Sequence, residues 1–368
     1  MPVLPFYAAE YGASATTLGF LLASYAAAQF VFAPVWGRLS DRVGRRPVLI
    51  FTVSGTALAL LLLGLADSLI GLFVARGLAG AFAANVSVAS AYISDVTEDD
   101  ERTRWMGMLG ASFGIGFVLG PALGGLLSPF GYSVPILTAA GLAAVNAVYA
   151  VFSLREPPRH ASEPTQLSRR AVLRDPRVRL LCFANLLFAL AVTQLETLFP
   201  FLARDLFGYD VMEVAFILVG MAVVMGGIQG GGMKALARRY SERSLVISGT
   251  LLLALGFGLL PKAPTLALFL TALATLAVGR AISQPSLMSL TSLAADANQR
   301  GAVMGAFQSA ASLARVIGPV TAGLLYDRLQ AAPFWLAAAL LVTVALLARS
   351  FPARQPVGQA SPAGAAQP

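Results

Sequence analysis

Residues 102–127 read RTRWMGMLGASFGIGFVLGPALGGLL, and residues 300–325 read RGAVMGAFQSAASLARVIGPVTAGLL. The two segments align at an offset of 198 with nine identical positions, including the Gly-Pro pairs at 120–121 and 318–319. Each segment is long enough to cross a bilayer, because a crossing helix needs about 20 mostly apolar residues. A repeated span of this kind predicts a membrane protein built from two related halves.

Two further matches extend the repeat towards the N-terminus. Arg42 and Arg46 match Arg239 and Arg243 near an offset of 197, and Pro5-Phe6 match Pro200-Phe201 near 195. An apolar stretch from about Val178 precedes Pro200, whereas only four residues precede Pro5. We therefore expect most of the first helix to be missing here, through a late start codon or a truncation, from a natural protein of twelve spans.

The composition fits lipid as the solvent. Hydrophobic residues make up 57% of the chain and charged residues 12%, whereas a soluble domain carries about 25% charge. The mean hydropathy is +0.74. Eleven spans are predicted at 18–36, 48–66, 69–94, 105–128, 132–154, 178–202, 211–232, 244–261, 264–294, 301–326 and 332–348.

The basic residues divide unequally between alternate loops. One set of loops, together with the C-terminal tail, holds 20 of the 26 Lys and Arg residues, and the opposite loops hold three. The positive-inside rule places the rich set, and the C-terminus, in the cytoplasm. Basic clusters between apolar runs are typical of membrane loops, so the net charge of +8 does not indicate a nucleic-acid partner.

The residues needed for most enzyme chemistry are scarce. Cys182 is the single cysteine and lies in an apolar run, and His160 is the single histidine and lies in a polar linker. A disulfide framework, a thiolate metal site and histidine-based catalysis are therefore disfavoured. We expect no enzyme activity and no cofactor or metal.

We predict an all-α membrane fold with two pseudo-symmetric helical bundles around a central cavity. The predicted domains are an N-terminal bundle at 1–154, a cytoplasmic linker at 155–177, a C-terminal bundle at 178–350 and a disordered cytoplasmic tail at 351–368. Two related halves with a site at their interface is a transporter architecture.

The loop at 37–46 reads Gly-Arg-Leu-Ser-Asp-Arg-Val-Gly-Arg-Arg. Gly37 would let one helix end against its neighbour, and Gly44 would allow a tight turn. The alternative interpretation is a basic stop-transfer loop, which needs neither the aspartate nor the glycines. The loop closely resembles the signature of the major facilitator superfamily, and the span count and repeat agree with that resemblance.

The resemblance implies a conformational latch in this loop. Asp41 and Arg45 would form a charge relay with Asp95, and Asp41 would face the N-terminus of the 301–326 helix. The predicted latch residues are Gly37, Asp41, Arg42, Gly44, Arg45, Arg46 and Asp95. In the second half Arg238 stands where Asp41 does, so that copy of the latch is expected to be degenerate.

The 105–128 span carries Gly116, Gly120, Pro121, Gly124 and Gly125. Glycine at every fourth position gives a flat helix face for close backbone contact, and the proline invites a bend. A simple packing seam is the alternative. The pattern resembles the motif of the antiporter branches of the superfamily, where it shapes the helix and limits leak.

Arg76 lies inside the 69–94 span, where a charge needs a watery cavity or a partner. Its segment resembles the superfamily's arginine-and-glycine motif, and the resemblance implies a role in proton transfer. A structural hydrogen bond to neighbouring backbone is the alternative. Arg315, in the 301–326 span, is assigned to the same cavity group.

Glu196 is the only acidic residue well inside a span. Asn185, Phe188, Val192 and Glu196 recur at helical spacing, so Asn185 and Glu196 share one face. Burial would raise the pKa of the carboxyl and let it carry a proton or balance a cationic substrate. A gate or packing role near the outer end is the alternative. Gln29, also in a span, is as suited to a helix interface as to substrate contact.

These features predict a secondary active transporter of a bacterial cytoplasmic (inner) membrane. The resemblance to twelve-helix drug:proton antiporters implies efflux of drug-like or lipophilic compounds by alternating access, with the proton as coupling ion. The expected partners are the small-molecule substrate and the lipid bilayer, and the chain is expected to be a monomer. The rivals are a proton-coupled nutrient importer or facilitator, and a non-transporting scaffold or inactive remnant.

Overall fold

The computed structural model describes residues 3–97, 99–157, 173–295 and 299–351, with backbone only at 99, 100, 102 and 103. Within these ranges the chain is helical and contains no β-strand. The helices are α1 (Val3–Glu10), α2 (Ala15–Val43), α3 (Arg45–Gly64), α4 (Leu69–Phe82), α5 (Val86–Val96), α6 (Asp99–Leu127), α7 (Ser133–Ser153), α8 (Pro176–Phe207), α9 (Val211–Gly227), α10 (Met233–Arg239), α11 (Glu242–Leu259), α12 (Leu266–Leu293), α13 (Arg300–Arg328) and α14 (Ala332–Ala348).

The helices confirm the predicted all-α membrane fold, and each of the eleven predicted spans is helical. Within the described ranges, nine helical segments are long and apolar enough to cross a bilayer. α14 is a shorter apolar helix, and the more polar α13 coincides with the remaining predicted span. Many helices run past the apolar core of their span, so their ends are set by capping residues rather than by hydropathy.

Side-chain caps fix where several helices begin. The hydroxyl groups of Ser14, Ser68, Ser241 and Thr265 each accept a hydrogen bond from the backbone N–H three residues later. These caps satisfy donors that the first turn of a helix leaves without a partner. The start of α2, α4, α11 and α12 is therefore encoded locally.

Two spans are interrupted in mid-helix. A 3-10 turn at Ala83–Asn85 separates α4 from α5, and Ala84 there has ψ near 20°. A π-helical segment at Ile228–Gly232 separates α9 from α10 and contains three consecutive glycines. Neither break contains a proline, so the breaks were not evident from the sequence. Irregular turns of this kind often occur at functional positions in membrane helices.

The chain divides by its contacts into two compact units. The first unit comprises residues 1–165, 193–220 and 312–333. It contains α1 to α7, the C-terminal part of α8, the N-terminal part of α9 and the C-terminal part of α13. Within it α3 packs against α7, and α2 packs against α4.

The second unit comprises residues 166–192, 221–311 and 334–368. Its main packing is between α11 and α12, which approach so closely that Gly249 and Gly279 lie against each other's backbone. These units follow contacts rather than chain order, so the predicted domain boundaries stay predictions. Most of the predicted linker, at 158–172, and the predicted tail, at 352–368, lie outside the described residues.

Candidate functional site: the helix ends and the broken third span

The arginine that begins α3 is held by two carboxylates. The Arg45 Nε donates to Oδ2 of Asp95 at 3.0 Å, and the same guanidinium pairs with Asp41. It also donates to Oγ of Ser40 at 2.7 Å. The structure thus brings together three residues of the predicted latch in the first unit. The role of these contacts in transport stays a prediction.

The two loop glycines have different surroundings. Gly44 has φ of 112° and ends α2, which agrees with the predicted tight turn. Gly37 was expected to end the helix, and that expectation is wrong. α2 continues through Gly37 to Val43, and a Cβ on Gly37 would meet nothing within 4 Å. The helix ends at Val43 because Gly44, not Gly37, adopts the positive φ. Arg42, in the last turn of α2, has an exposed side chain.

Glu156 completes this loop and was not predicted from the sequence. Its carboxylate accepts hydrogen bonds from the backbone N–H groups of Arg45, at 2.7 Å, and Arg46, at 3.0 Å. It therefore caps the N-terminus of α3 from the segment after α7. A Cβ on Gly44 would overlap this carboxylate, so the glycine is needed for space as well as for conformation. The Arg46 side chain also reaches back, donating to the Val151 carbonyl at 2.8 Å.

Arg76 in α4 lies over an aromatic ring. Its guanidinium carbon is 4.1 Å from the centre of the Tyr25 ring in α2. The Arg76 Nε is buried and has no hydrogen-bond partner among the described residues. A Cβ on Gly80, one helical turn away, would overlap the Tyr25 backbone, so the two helices are in close contact here. The arginine is thus held by a cation–π contact rather than by a carboxylate.

Two more residues of α2 satisfy the broken end of α4. The Gln29 side chain donates to the Ala83 carbonyl at 3.3 Å, and the Trp36 indole donates to the Ala81 carbonyl at 2.7 Å. These carbonyls lie where the 3-10 turn interrupts the helix. In this structure Gln29 therefore bonds across a helix interface, which was one of the two interpretations left open for it.

The glycine motif of α6 packs only at its C-terminal end. Gly124 and Gly125 are buried, and a Cβ on Gly125 would contact Ala215 and Met212 of α9. A Cβ on Gly116 or Gly120 would meet nothing within 4 Å, so the expected close backbone contact at those two positions is absent from the described structure. Pro121 lies inside a continuous α6. The role of the motif in transport stays a prediction.

The second copy of the motif is packed more closely. A Cβ on Gly318 of α13 would overlap Thr193 of α8, and Gly318 is the repeat counterpart of Gly120. The two copies of the Gly-Pro pair therefore differ in their surroundings within the described residues.

The glycines shared by both copies pack against equivalent helix starts. Gly125 lies against the start of α9, and its counterpart Gly323 lies against the backbone of Ala15 and Thr16 at the start of α2. Gly19 of α2 in turn approaches the Pro319 carbonyl of α13. All these contacts lie within the first unit. The predicted topology places these helix ends at the outer face of the membrane, opposite the cytoplasmic loops.

Polar pairs accompany these close contacts. The Asp327 carboxylate of α13 accepts a hydrogen bond from the Thr16 backbone N–H at 3.0 Å. The Tyr132 hydroxyl donates to Asp210 at 2.9 Å, and the Tyr326 hydroxyl donates to Asp205 at 2.7 Å. Burial and the hydrogen bond to Asp210 raise the pKa of Tyr132 to about 12, so this hydroxyl stays a donor at physiological pH. None of these pairs was predicted, because each joins residues far apart in the sequence.

The polar face predicted on α8 does not have one uniform environment. Asn185 is buried and donates to the Phe307 carbonyl of α13 at 2.8 Å, which is a helix-to-helix bond within the second unit. Glu196 is exposed although its neighbours on α8 are buried, so the expected burial of its carboxyl is wrong for this structure. The two residues share a helix face, but α8 passes from one unit to the other between them. Arg315 is also exposed.

Comparisons with known proteins agree on one family. A family model described as Major Facilitator Superfamily matches residues 1–234 and again residues 232–367. The chain is 32% identical to the tetracycline resistance protein, class D, of Salmonella ordonez, over 90% of this chain and 86% of that protein. It is 26% identical to multidrug resistance protein 1 of Bacillus subtilis (strain 168), over 92% and 87%. The crystal structure of the human organic anion transporter MFSD10 (TETRAN) superposes with a TM-score of 0.66 at 25% identity, covering 90% of this chain and 83% of that one.

Proposed function

This chain belongs to the major facilitator superfamily, and on that premise we propose that it exports drug-like or lipophilic small molecules across a bacterial membrane. The observation that carries the proposal is the similarity to tetracycline and multidrug resistance proteins over about nine-tenths of the chain. The family and the multi-pass helical fold identify a membrane transporter rather than an enzyme.

The transport cycle we propose is alternating access, in which the two related halves separate at one membrane face while they close at the other. The loop of Gly37, Asp41, Arg42, Gly44, Arg45 and Arg46, with Asp95, would act as the latch at the cytoplasmic face. The contacts of Arg45 with Asp41 and Asp95 support this role because they couple the end of α2 to the end of α5. Glu156 would hold the same turn in place.

Proton influx would drive export, with no other cofactor. Glu196 is the candidate proton carrier, since it is the acidic residue farthest from the ends of its span. Four further residues would line the path of the proton or influence proton transfer along it: Arg76, Arg315, Gln29 and Asn185. The exposure of the Glu196 side chain supports this assignment, because a proton or ligand can reach an exposed carboxyl from water. The buried Nε of Arg76, which has no hydrogen-bond partner among the described residues, supports a role for Arg76.

The basic loops support a cytoplasmic C-terminus and residence in the cytoplasmic membrane of a bacterium. The proposed protein is a monomer without a nucleic-acid partner, which agrees with basic residues that lie in clusters between apolar spans.

The test is a drug-susceptibility panel in a bacterium that lacks its own efflux pumps. Cells that express the chain should tolerate at least one tetracycline or lipophilic dye at several-fold higher concentration than cells with an empty vector. The Glu196→Gln variant, present in the membrane at an equal level, should lose most of this protection. Equal susceptibility of cells with and without the chain, across a broad panel, would contradict export.

A further inference from the structure

α2 and α13 form an antiparallel pair of equal length at one end of the first unit. Each helix has 29 residues. Ala15 lies against Gly323 and Gly19 lies against Pro319, so the start of α2 runs alongside the end of α13. The two helices come from different halves of the repeat. They must therefore separate at this end whenever the halves open there.

A carboxylate joins the pair at this end. The first four N–H groups of a helix lack partners within the helix. In α2, Ser14 accepts from Thr17, and Asp327 of α13 accepts from Thr16 at 3.0 Å. The Asp327 carboxylate also receives hydrogen bonds from the Ser14 side chain and the Ala15 backbone. α2 thus depends on a residue of the other half to complete its first turn.

The position of Asp327 in its own helix is otherwise unfavourable. A negative charge in the last turn is repelled by the partial negative charge of the helix C-terminus. Asp327 gains its stabilisation from the positive end of α2 instead. The last turn of α2 has the same arrangement, an aspartate followed by an arginine, at Asp41 and Arg42.

We propose that Asp327 is an outer latch between α2 and α13, which alternates with the cytoplasmic latch that the superfamily resemblance assigns to Asp41. Asp327 ties the two helices at the predicted outer face by capping α2, as in this structure. Asp41 pairs here with Arg45, so its predicted contact with the start of α13 belongs to the other state. One latch would release as the other engages. The inference rests on the proposed alternating access, and it assigns to Asp327 a role that no motif of the sequence indicated.

The experiment measures the outer opening directly on purified protein in lipid nanodiscs, without a substrate. Nitroxide labels at Glu10→Cys and Lys262→Cys, in a Cys182→Ser background, place one label on an outer loop of each half. Pulsed electron resonance gives the fraction of molecules with the long distance. We expect Asp327→Ala to raise the ratio of long to short distances by about three- to tenfold, the effect of losing one charge-assisted helix cap.

Two further variants separate the latch from a general loss of structure. Asp327→Asn keeps the shape and removes the charge, so it should shift the ratio in the same direction by a smaller factor. Thr16→Pro removes the N–H that Asp327 accepts, and proline is tolerated in a first helical turn. Combined with Asp327→Ala it should add little, because both changes remove the same hydrogen bond. Asp67→Asn, an exposed carboxylate in another outer loop, should leave the distances unchanged.

The reciprocal arm uses Asp41→Asn, which should lower the fraction with the long distance. Distances in Asp327→Ala and Thr16→Pro that match those of the parent would overturn the outer latch. A shift of Asp41→Asn in the same direction as Asp327→Ala would overturn the reciprocity. Because this readout needs no substrate, the latch can fail or hold independently of the export assay.

Discussion

Glu156 shows how a single carboxylate can organise the cytoplasmic loop. It accepts two backbone N–H groups at the start of α3 while Gly44 leaves it the space to do so. We expect Glu156→Gln to lower the thermal midpoint of the protein in detergent, since losing a charged helix cap costs about 1 kcal/mol. The thermal midpoint is measured by heating the protein and monitoring aggregation or the binding of a dye. The Asp67→Asn variant is the control. An unchanged midpoint would mean that water replaces the cap without loss.

The aromatic ring of Tyr25 is the feature that holds Arg76 in place. Its guanidinium lies over Tyr25 and has no carboxylate partner among the described residues. Tyr25→Phe retains a ring and should keep most export, whereas Tyr25→Leu should lose it several-fold, in line with a cation–π contact of about 1–2 kcal/mol. Initial rates of dye efflux at matched protein levels provide the measurement. Equal rates for the phenylalanine and leucine variants would show that the ring does not hold the arginine.

At this scale the sequence predicted the residues of local motifs and missed the partners that the fold supplies. The resemblance to the superfamily implied a relay of Asp41, Arg45 and Asp95, which the structure brings together. It did not indicate Glu156 or Asp327, because their contacts cross about a hundred residues or more of sequence. An aspartate in the last turn of a helix was a usable signal for Asp327, since its own helix disfavours it there.

At the scale of elements, the close helix pairs depend on glycines that the repeat shares. A Cβ on Gly323 would overlap the backbone of Ala15 and Thr16, which cannot move aside as a flexible side chain would. We expect Gly323→Ala to loosen the α2–α13 contact and to raise the fraction of outer-open molecules in the same label-distance measurement. The matched control is Gly110→Ala in α6, where a Cβ would meet nothing within 4 Å.

The control should be neutral or slightly stabilising, because alanine favours a helix over glycine by up to about 1 kcal/mol. Similar effects of the two substitutions would contradict an α2–α13 interface that depends on close backbone contact.

The existence of each span followed from hydropathy alone. The breaks at Ala83–Asn85 and Ile228–Gly232 did not, because neither contains a proline. The first break also depends on Gln29 and Trp36, which donate to carbonyls there from another helix.

At the scale of the whole molecule, the two related halves are the feature on which function depends. The repeat predicted them from identical residues such as Gly125 and Gly323, and in the structure these residues pack against equivalent helix starts. The exposure of Glu196 was not predictable in the same way, because helix periodicity shows which residues share a face but not what covers that face. Direction of transport likewise depends on coupling rather than on the fold.

The most direct test of proton-driven export is dye accumulation in efflux-deficient cells that express the chain, before and after an uncoupler dissipates the proton gradient. The account predicts low accumulation that rises several-fold on uncoupling, to the level of cells expressing Glu196→Gln, whose own accumulation should change little. Accumulation that falls on uncoupling would identify an importer and contradict the account, as would accumulation that does not respond.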